Sequence, residues 1–434
     1  MTDLPRFFLR LPLLCAAGIV SFSAALPAVA SAQDGDPAIP PRPWEPNAFL
    51  PVTEARIAAL PAEAQPAWRA YWQASAAQAR PPSRPTDRVE NTTNLLVHSA
   101  PIPAVYSTRL KLNAAPAWYA SAEARGLAGY IVAWQRPSGG WTKGGDYTRA
   151  PSAADDHHDG WSAGTFDNDS TIYELRFLAR VIHAGANEPG AAAWRDAFAR
   201  GLAYLFAAQY PNGGFPQIYP LAGGYHDAIT FNDDAMVHIL ELLRDTAGRR
   251  EEYAFVPAGL ASEAAVRLAR GIQCVLATQL RDATGRPTVW GQQHDALTLR
   301  PCAARNFEPT SECSLESAGL VQFLMSIPQP SPEIIAAVDG AMAWFSAHAL
   351  PGVTWDREAT AGSGLVPKPG TPDLWARYYE IGTGRPVFGE RDRSVHYVVT
   401  ELTTERRKGY GWYNNRGATL PAMYARWKER LGAK

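Results

Sequence analysis

A phrase that occurs twice in the middle of the chain limits the possible folds more than any other feature. Thr-Phe-Asp-Asn-Asp begins at Thr165, and Thr-Phe-Asn-Asp-Asp begins at Thr230. Each phrase follows a turn with two glycines and an aromatic residue, and each precedes an apolar run with helical spacing. The repeated unit is therefore a helix, a glycine turn, an acidic loop and a second helix.

The unit also carries a glutamine ahead of each turn. The same glutamine identifies a third, less regular copy further along the chain. Gln135 and Gln209 precede the first two turns, at residues 139–141 and 213–215. Three copies of a two-helix unit predict a mainly α fold, in which a closed ring of helical hairpins gathers its turns at one end. Few strand patterns are present. The third copy is degraded and contains Gln279, Gly285, Trp290 and the loop at residues 308–316.

The first 32 residues have the pattern of an export signal. Arg6 and Arg10 precede an apolar stretch at residues 11–29, and Ala-Ser-Ala at residues 30–32 resembles a cleavage site. We therefore interpret residues 1–32 as a signal peptide and expect a secreted or periplasmic protein.

The remaining chain divides by composition. Residues 33–84 are rich in proline and alanine, and we interpret them as a partly helical N-terminal extension, of which residues 33–60 are partly ordered at best. Within it, residues 67–78 have the composition of a helix that packs on the main domain. The repeats fall in residues 85–434, which we assign to the main, barrel-forming domain.

Charge and cysteine content exclude several classes of protein. A formal charge of -1 over 434 residues gives no bulk attraction to nucleic acid or to anionic membranes, so we expect neither as a partner. We expect a monomer that recognises its ligand locally.

Three cysteines lie beyond the leader: Cys274, Cys302 and Cys313. A Cys302–Cys313 disulfide and buried free thiols are both open. No Cys/His spacing resembles a zinc site.

The acidic loops concentrate oxygen atoms that suit a hard cation such as calcium. One or two of these residues could instead cap the helices that follow, because Asp and Asn are good N-caps. Two or three such residues in each of two equivalent loops exceed the need for capping. We therefore predict metal binding, or bridging between metal and substrate, by Asp167, Asp233 and Asp234, with Asn168 beside them.

Seven short phrases, in this order, identify a family. On these phrases the chain resembles the family 10 polysaccharide lyases, which are pectate lyases with an (α/α)3 barrel. The resemblance covers roughly residues 85–430 and implies calcium-dependent β-elimination on polygalacturonate, although residues 155–159 (DDHHD) have no counterpart. The phrases are GGWTK at 139–143, TFDNDST at 165–171, NGGFPQIYPL at 212–221, ITFNDDAM at 229–236, VWGQQHD at 289–295, ARNFE at 304–308 and ERRKGYGWY at 405–413.

The resemblance gives the basic residues a role. Lys143, Arg305 and Arg391 would bind the carboxylates of the polymer, although a solvated surface position is the commoner fate of such residues. Tyr219 is a weaker candidate for stacking on a sugar.

The resemblance also implies that an arginine removes the proton, and it points to Arg407, or to Arg406 if the register is one residue off. Arginine is an unusual base because it stays protonated near neutral pH. Alternatively, both arginines pair with Glu401 and Glu405, which lie about one helical turn away.

Two other classes of function stay open on the sequence. An inverting glycoside hydrolase would use Asp167 and Asp233 as acid and base without calcium. A non-catalytic, exported uronate-binding protein would need the basic and aromatic loops but no base.

Overall fold

The computed structural model of the protein describes residues 45–46, 49–78, 110–152, 155 and 164–432. The predicted export signal and residues 156–159 lie outside this part of the chain. Its α-helices are α1 (Glu54–Ala58), α2 (Gln65–Gln78), α3 (Ala122–Trp134), α4 (Ile172–Ala184), α5 (Ala191–Ala208), α6 (Ala235–Gly248), α7 (Ala258–Thr278), α8 (Ser314–Met325), α9 (Pro332–Ala347), α10 (Thr404–Lys408) and α11 (Leu420–Gly432).

The strands of the described chain are short and form five small sheets. β3, β4 and β5 make one sheet, and β12, β11, β10 and β6 make another, in those orders; β1–β2, β13–β9 and β7–β8 are antiparallel pairs. The fold is mainly helical, as predicted, and closure of the ring stays a prediction. The strands are β1 (Gly164–Thr165), β2 (Ile218–Tyr219), β3 (Ile229–Thr230), β4 (Gln293–His294), β5 (Pro301–Cys302), β6 (Glu312–Cys313), β7 (Val353–Trp355), β8 (Leu365–Pro367), β9 (Trp375–Ala376), β10 (Tyr378–Tyr379), β11 (Pro386–Gly389), β12 (Val395–His396) and β13 (Tyr413–Asn414).

The three copies of the repeat share one hydrogen-bond pattern. In each copy the glutamine amide donates to a carbonyl of its own turn and to a carbonyl of the helix that follows the copy. Those helices are α5, α7 and α9, so the same contact joins the first copy to the second, the second copy to the third, and the third copy to α9. The second acceptors are Ala197 O for Gln135, Arg267 O for Gln209 and Ala337 O for Gln279, at 2.8 to 2.9 Å.

The entry to each loop is also equivalent. The backbone N–H groups of Thr165, Thr230 and Cys313 donate to the carbonyls of Trp141, Phe215 and Trp290 respectively. These aromatic side chains are fully buried, which agrees with a packing role. The chain therefore leaves every turn in the same direction, and the loops arrive at one end of the helices.

The glycines of the turns allow the turn backbone to touch the helix that follows the copy. Gly213 has a φ of +91°, and a Cβ there would lie 2.1 Å from Arg270 O in α7. We expect Gly213→Ala to cost about 2–4 kcal/mol of unfolding free energy, from the left-handed backbone and the steric overlap together. Gly285→Ala is the matched control, because Gly285 has a φ of +85° with nothing within 4 Å of a Cβ. Chemical denaturation of both variants measures the difference, and equal losses would contradict the packing account.

The described part of the N-terminal extension is partly helical, as predicted. Residues 49–78, which we call the N-terminal strap, include α1 and α2 and bury Val52, Ile57 and Trp68 in the common core. The predicted helix at residues 67–78 is confirmed within α2. Residues 79–84 lie outside the described chain.

The structure also bears on the state of the cysteines and on membrane-spanning helices. Cys274, Cys302 and Cys313 are buried free thiols, so the disulfide alternative is not realised. Within the described residues, no helix is both long enough and apolar enough to cross a membrane.

Candidate active site

The loops of the three repeats and the C-terminal segment surround a groove of about 510 Å³. Every contributor lies after a repeat turn, on a small sheet or near α10, which is why residues distant in sequence meet here. The predicted site residues in its lining are Lys143, Asp167, Asn168, Asp233, Arg305, Arg391 and Arg406; the others used below are Gln217, Tyr225, Asn232, Gln292, Phe307, Glu308 and Tyr410.

The two acidic loops form matching tight turns at the floor of the groove. Asn168 and Asp169 have φ values of 47° and 64°, and the equivalent Asp233 and Asp234 have 52° and 60°. Asp and Asn tolerate this left-handed region better than other side chains with a Cβ, which explains the residue choice. No side-chain capping bond begins α4 or α6, so the loop side chains do not cap these helices through hydrogen bonds.

The last residue of each acidic loop turns away from the groove. Asp169 pairs with His238 of α6, and Asp234 pairs with Arg416 at 2.5 Å. Neither carboxylate is among the groove residues. The structure therefore separates Asp234 from Asp167 and Asp233, with which the sequence grouped it as a metal ligand.

Asp233 has an unusual electrostatic environment. Its carboxylate accepts a hydrogen bond from Asn232 Nδ2 at 2.7 Å and lies in no ion pair within the described chain. Desolvation within the groove, followed by the charges of Glu316 and Asp167, raises its pKa to about 6, whereas Arg377 and Arg305 oppose the increase. The site thus has negative charge in excess at the position of Asp233.

Asp167 is held by two neighbours. Lys143 Nζ lies 2.5 Å from its Oδ2, and Gln217 Nε2 donates to its Oδ1 at 3.0 Å. The Asp167 side chain is buried, whereas Lys143 extends along the groove wall. The pair therefore presents one cation to the groove beside the first acidic loop.

Oxygen atoms on the groove floor suit calcium, but they do not form a complete protein site. Asp233, Asp167, Asn168 and Asn232 offer carboxylate and amide oxygens, which are the donors that calcium prefers. Among the described residues, no group of three or more His, Cys, Asp and Glu side chains is arranged to hold a metal ion. Any ion at Asp233 would need further oxygens from substrate or water.

Arg305 lies across the groove from the acidic loops and is fixed from behind. Its Nε and Nη2 donate to Glu308 at 2.8 and 2.5 Å, and Tyr410 donates to the same carboxylate at 2.6 Å. Burial disfavours the charge of Arg305, but Glu308 outweighs this and raises its pKa. Arg305 Nη1 makes no hydrogen bond within the described chain, and 40% of the side chain stays exposed.

Three guanidinium groups surround the ring of Phe307. Those of Arg406, Arg305 and Arg391 lie 3.9, 4.9 and 5.5 Å from its centroid. Arg391 also pairs with Glu405 through two hydrogen bonds of 2.8 Å. Three of the positively charged side chains of the groove thus cluster around one aromatic ring.

The two arginines predicted as the base differ in position. Arg406 reaches the groove edge, but only 4% of its side chain is exposed, and its Nη2 donates to Gly409 O at 3.0 Å. Burial first, and the nearby Arg391 and Arg305 next, lower its pKa, whereas Glu405 opposes the decrease. Arg407 is buried and is not among the groove residues. Their catalytic assignment stays a prediction.

Tyr219 does not join the other predicted residues. It is buried in β2, where its ring packs against Tyr71 and Tyr204 behind the groove wall. Asp155 of the unmatched stretch pairs with Arg149 on the surface. Neither residue is among those that line the groove.

The neutral and the buried side chains of the site were not predicted from the sequence. Gln292 donates to Asn232 Oδ1 at 2.7 Å, and the buried Arg377 lies 2.5 Å from Glu316 and 3.4 Å from the same Asn232 oxygen. Gln292 and Glu308 occur inside two of the matched phrases, which was the available signal. Tyr410 also lies inside a matched phrase, at residues 405–413, whereas Arg377 carried no pattern.

Comparison with known proteins agrees with this fold and groove. The model of the Pec_lyase family, described as pectic acid lyase, matches residues 135–420. An Asp-to-Ala mutant of family 10 polysaccharide lyase from Cellvibrio cellulosa, in complex with trigalacturonic acid, is 33% identical to the chain, covering 72% of this chain and 95% of that one with a TM-score of 0.63. A second structure of family 10 polysaccharide lyase from the same organism is 33% identical, covering 70% and 91%, with a TM-score of 0.62. No protein with curated annotation matches the sequence.

These similarities, together with the helical fold and its charged groove, define the class: the protein is a polysaccharide lyase. Within that class the chain belongs to the pectic acid lyase family, polysaccharide lyase family 10.

Proposed function

We propose that the protein cleaves polygalacturonate by calcium-assisted β-elimination and releases unsaturated oligogalacturonides. The observation that carries this proposal is the carboxylate of Asp233, which lies on the groove floor without a cationic partner in the described chain and across from Arg305. Polygalacturonate bears a carboxylate on every sugar, so a groove for it requires cations placed along its length. Lys143, Arg305 and Arg391 are so placed.

The reaction begins with removal of the proton on the carbon next to the uronate carboxylate. Electrons of that bond form a double bond in the ring as the glycosidic oxygen leaves with its pair. The difficulty is that negative charge moves onto a group that is already an anion. Calcium, held by Asp233 with Asp167 or Asn168 nearby, would offset this charge when bound.

Calcium takes about six to eight oxygen ligands, so the few oxygens at Asp233 imply that uronate carboxylates and water complete the shell. This agrees with the bridging role predicted from the sequence. Asp234 fits poorly as a direct ligand, because Arg416 already neutralises it.

We infer that Arg305, rather than Arg406 or Arg407, is the base, because a base must first reach the substrate. Arg305 is the most exposed of the three, with 40% of its side chain accessible, and its charge acts on Asp233. The substrate carboxylate to be activated would sit beside Asp233. Arg406 has the lower pKa but is covered by Phe307. Its place suits orientation of the other arginines better than proton transfer.

The test is incubation of the exported enzyme with polygalacturonate. We expect ultraviolet absorbance from an unsaturated uronate product, and we expect a chelator to abolish it and added calcium to restore it. New reducing ends without that absorbance would show hydrolysis instead. No chemistry with retained binding would show a uronate-binding protein.

The hydrolase alternative has less support from the geometry. An inverting hydrolase needs one carboxyl group as acid and a second, free carboxylate as base. The raised pKa of Asp233 suits an acid, but Asp167 pairs closely with Lys143 and is not free to act as the base. One free carboxylate beside several cations suits lyase chemistry better.

Three further properties complete the proposal. The helical hairpins close into an (α/α)3 ring, a proposal supported by the equivalent glutamine bonds that join the first copy to the second and the second to the third. Residues 1–32 direct export, so the enzyme acts in the periplasm or outside the cell. The mature enzyme acts as a monomer, as expected from the sequence.

A further inference from the structure

The N-terminal strap (residues 49–78) packs behind the loops that carry the groove. It precedes residues 135–420, the range that matches the pectic acid lyase family. Trp68 and Tyr71 lie 5.1 and 5.0 Å from the ring of Tyr210, and Tyr71 also packs on Tyr219 at 5.8 Å. The strap is therefore built into the core beside the second repeat turn.

One ion pair connects α1 of the strap to the third repeat. Arg56 Nη2 lies 2.8 and 2.7 Å from the two oxygens of Asp295, whose side chain is only 8% exposed. Arg56 Nη1 also donates to the carbonyls of Leu50 and Pro51. One guanidinium thus fixes the start of the strap and the Asp295 turn together.

The Asp295 turn is directly joined to the groove floor. Asp295 Oδ1 accepts hydrogen bonds from the backbone of Leu297 and Thr298, which shapes the hairpin between β4 and β5. The residue just before β4 is Gln292, whose carbonyl accepts from Phe231 N and whose amide holds Asn232. Asp233 is the next residue of that acidic loop.

A second contact supports a different wall of the groove. Ser75 Oγ of α2 accepts a hydrogen bond from Leu221 N at 2.8 Å. Leu221 lies between Gln217, which holds Asp167, and Tyr225, which lines the groove. The strap therefore supports the loops that present both Asp167 and Asp233.

We propose that the N-terminal strap holds the substrate groove in its binding shape, with Arg56 as a positioning residue that acts through Asp295. This inference rests on the proposed function, because its readout is cleavage of polygalacturonate. Displacement of a catalytic group by about 1 Å costs on the order of 10²-fold in rate, so a support of this kind has a measurable effect.

The experiment compares Arg56→Ala with Arg69→Ala in the full-length protein. Arg69 lies in the same strap and pairs with Glu54 of the strap at 2.8 Å, so its loss removes a charge without freeing the groove loops. At a temperature well below melting, with helical circular dichroism confirmed, kcat and KM are measured on trigalacturonate and on polygalacturonate. We expect Arg56→Ala to lower kcat/KM about tenfold or more, with Arg69→Ala equal to wild type. A purely structural role would lower the melting temperature and leave both constants unchanged at the assay temperature.

A folded Arg56→Ala enzyme with wild-type constants would overturn the proposal. If Arg56→Ala does not fold, Ser75→Ala decides the matter, because it removes only the bond to Leu221 N. We expect it to raise KM several-fold, and unchanged constants there would also overturn the proposal. A wild-type enzyme that cleaves neither substrate would instead refute the proposed function, so the two failures are distinguishable.

Discussion

Asp233→Ala is expected to lower kcat/KM on polygalacturonate by about 10²-fold or more while the helical circular dichroism stays intact. The variant removes the groove carboxylate that has no cationic partner in the described chain, and with it the proposed anchor for calcium. Losses of this size are typical when one group that stabilises developing charge is removed. Initial rates from ultraviolet absorbance, across a calcium titration, measure the effect.

Two variants serve as comparisons for Asp233→Ala. Asp282→Ala removes a surface carboxylate that pairs with Arg286, and it should leave the rate unchanged. Asp234→Ala leaves Arg416 without its partner, so it should lower stability more than it changes the calcium concentration for half-maximal activity. Full activity of Asp233→Ala at every calcium concentration would place the metal elsewhere.

The raised pKa of Asp233 also predicts the direction in which an Asp233 variant changes the melting temperature. The pKa of Asp233 in the folded protein, about 6, lies above its value of about 3.9 in an unfolded chain. The folded state then holds the proton more tightly, so ionisation of Asp233 reduces stability as pH rises from about 4 to 6. In chelator at pH 8, Asp233→Asn should therefore melt at a higher temperature than wild type, and this difference should vanish below pH 4. A lower melting temperature would mean that lost activity reflects damage to the fold.

Arg305→Lys is expected to lower kcat by two or more orders of magnitude, with a smaller change in KM. In Arg305, Nε and Nη2 hold Glu308 while Nη1 is available to the substrate. Lysine keeps the charge, but its single nitrogen cannot do both. Lys143, Arg391 and calcium would still bind the chain. A loss confined mainly to kcat is the result expected when a contact matters chiefly in the transition state.

The two other arginines are the comparison for Arg305→Lys. Arg407→Lys should leave kcat nearly normal, because Arg407 does not line the groove. Arg406→Lys should have an intermediate effect, since it weakens the packing on Phe307 that orients its neighbours. A large loss of kcat in Arg406→Lys or Arg407→Lys, with near-normal turnover by Arg305→Lys, would restore the assignment made from sequence.

The pH dependence of wild-type activity is a further test of Arg305 as the base. Glu308 raises the pKa of Arg305, so the deprotonated form is scarce at neutral pH. Activity should therefore increase into the alkaline range. Glu308→Gln removes the charge that holds this pKa up, and it should move the rising limb to lower pH. A profile that Glu308→Gln does not shift would argue against Arg305.

Much of the architecture could be predicted because it depends on local repetition. The spacing from glutamine to turn to acidic loop recurs in the chain, and equivalent spacing produced equivalent bonds at Gln135, Gln209 and Gln279. The ordering of the strap was less predictable. Its proline- and alanine-rich composition shows little periodicity, yet Val52, Ile57 and Trp68 are buried in the common core.

The sequence by itself determined the family, the helical repeat and the types of residue at the site, because these depend on residue identity and spacing along the chain. Only the tertiary structure decided which of those residues share the groove. It placed Asp233 on the groove floor and paired its neighbour Asp234 with Arg416, and it exposed Arg305 while Phe307 covers Arg406. The physical reason is that adjacent residues in a tight turn point in different directions, and that Arg416, which pairs with Asp234, comes from the distant C-terminal segment of the chain.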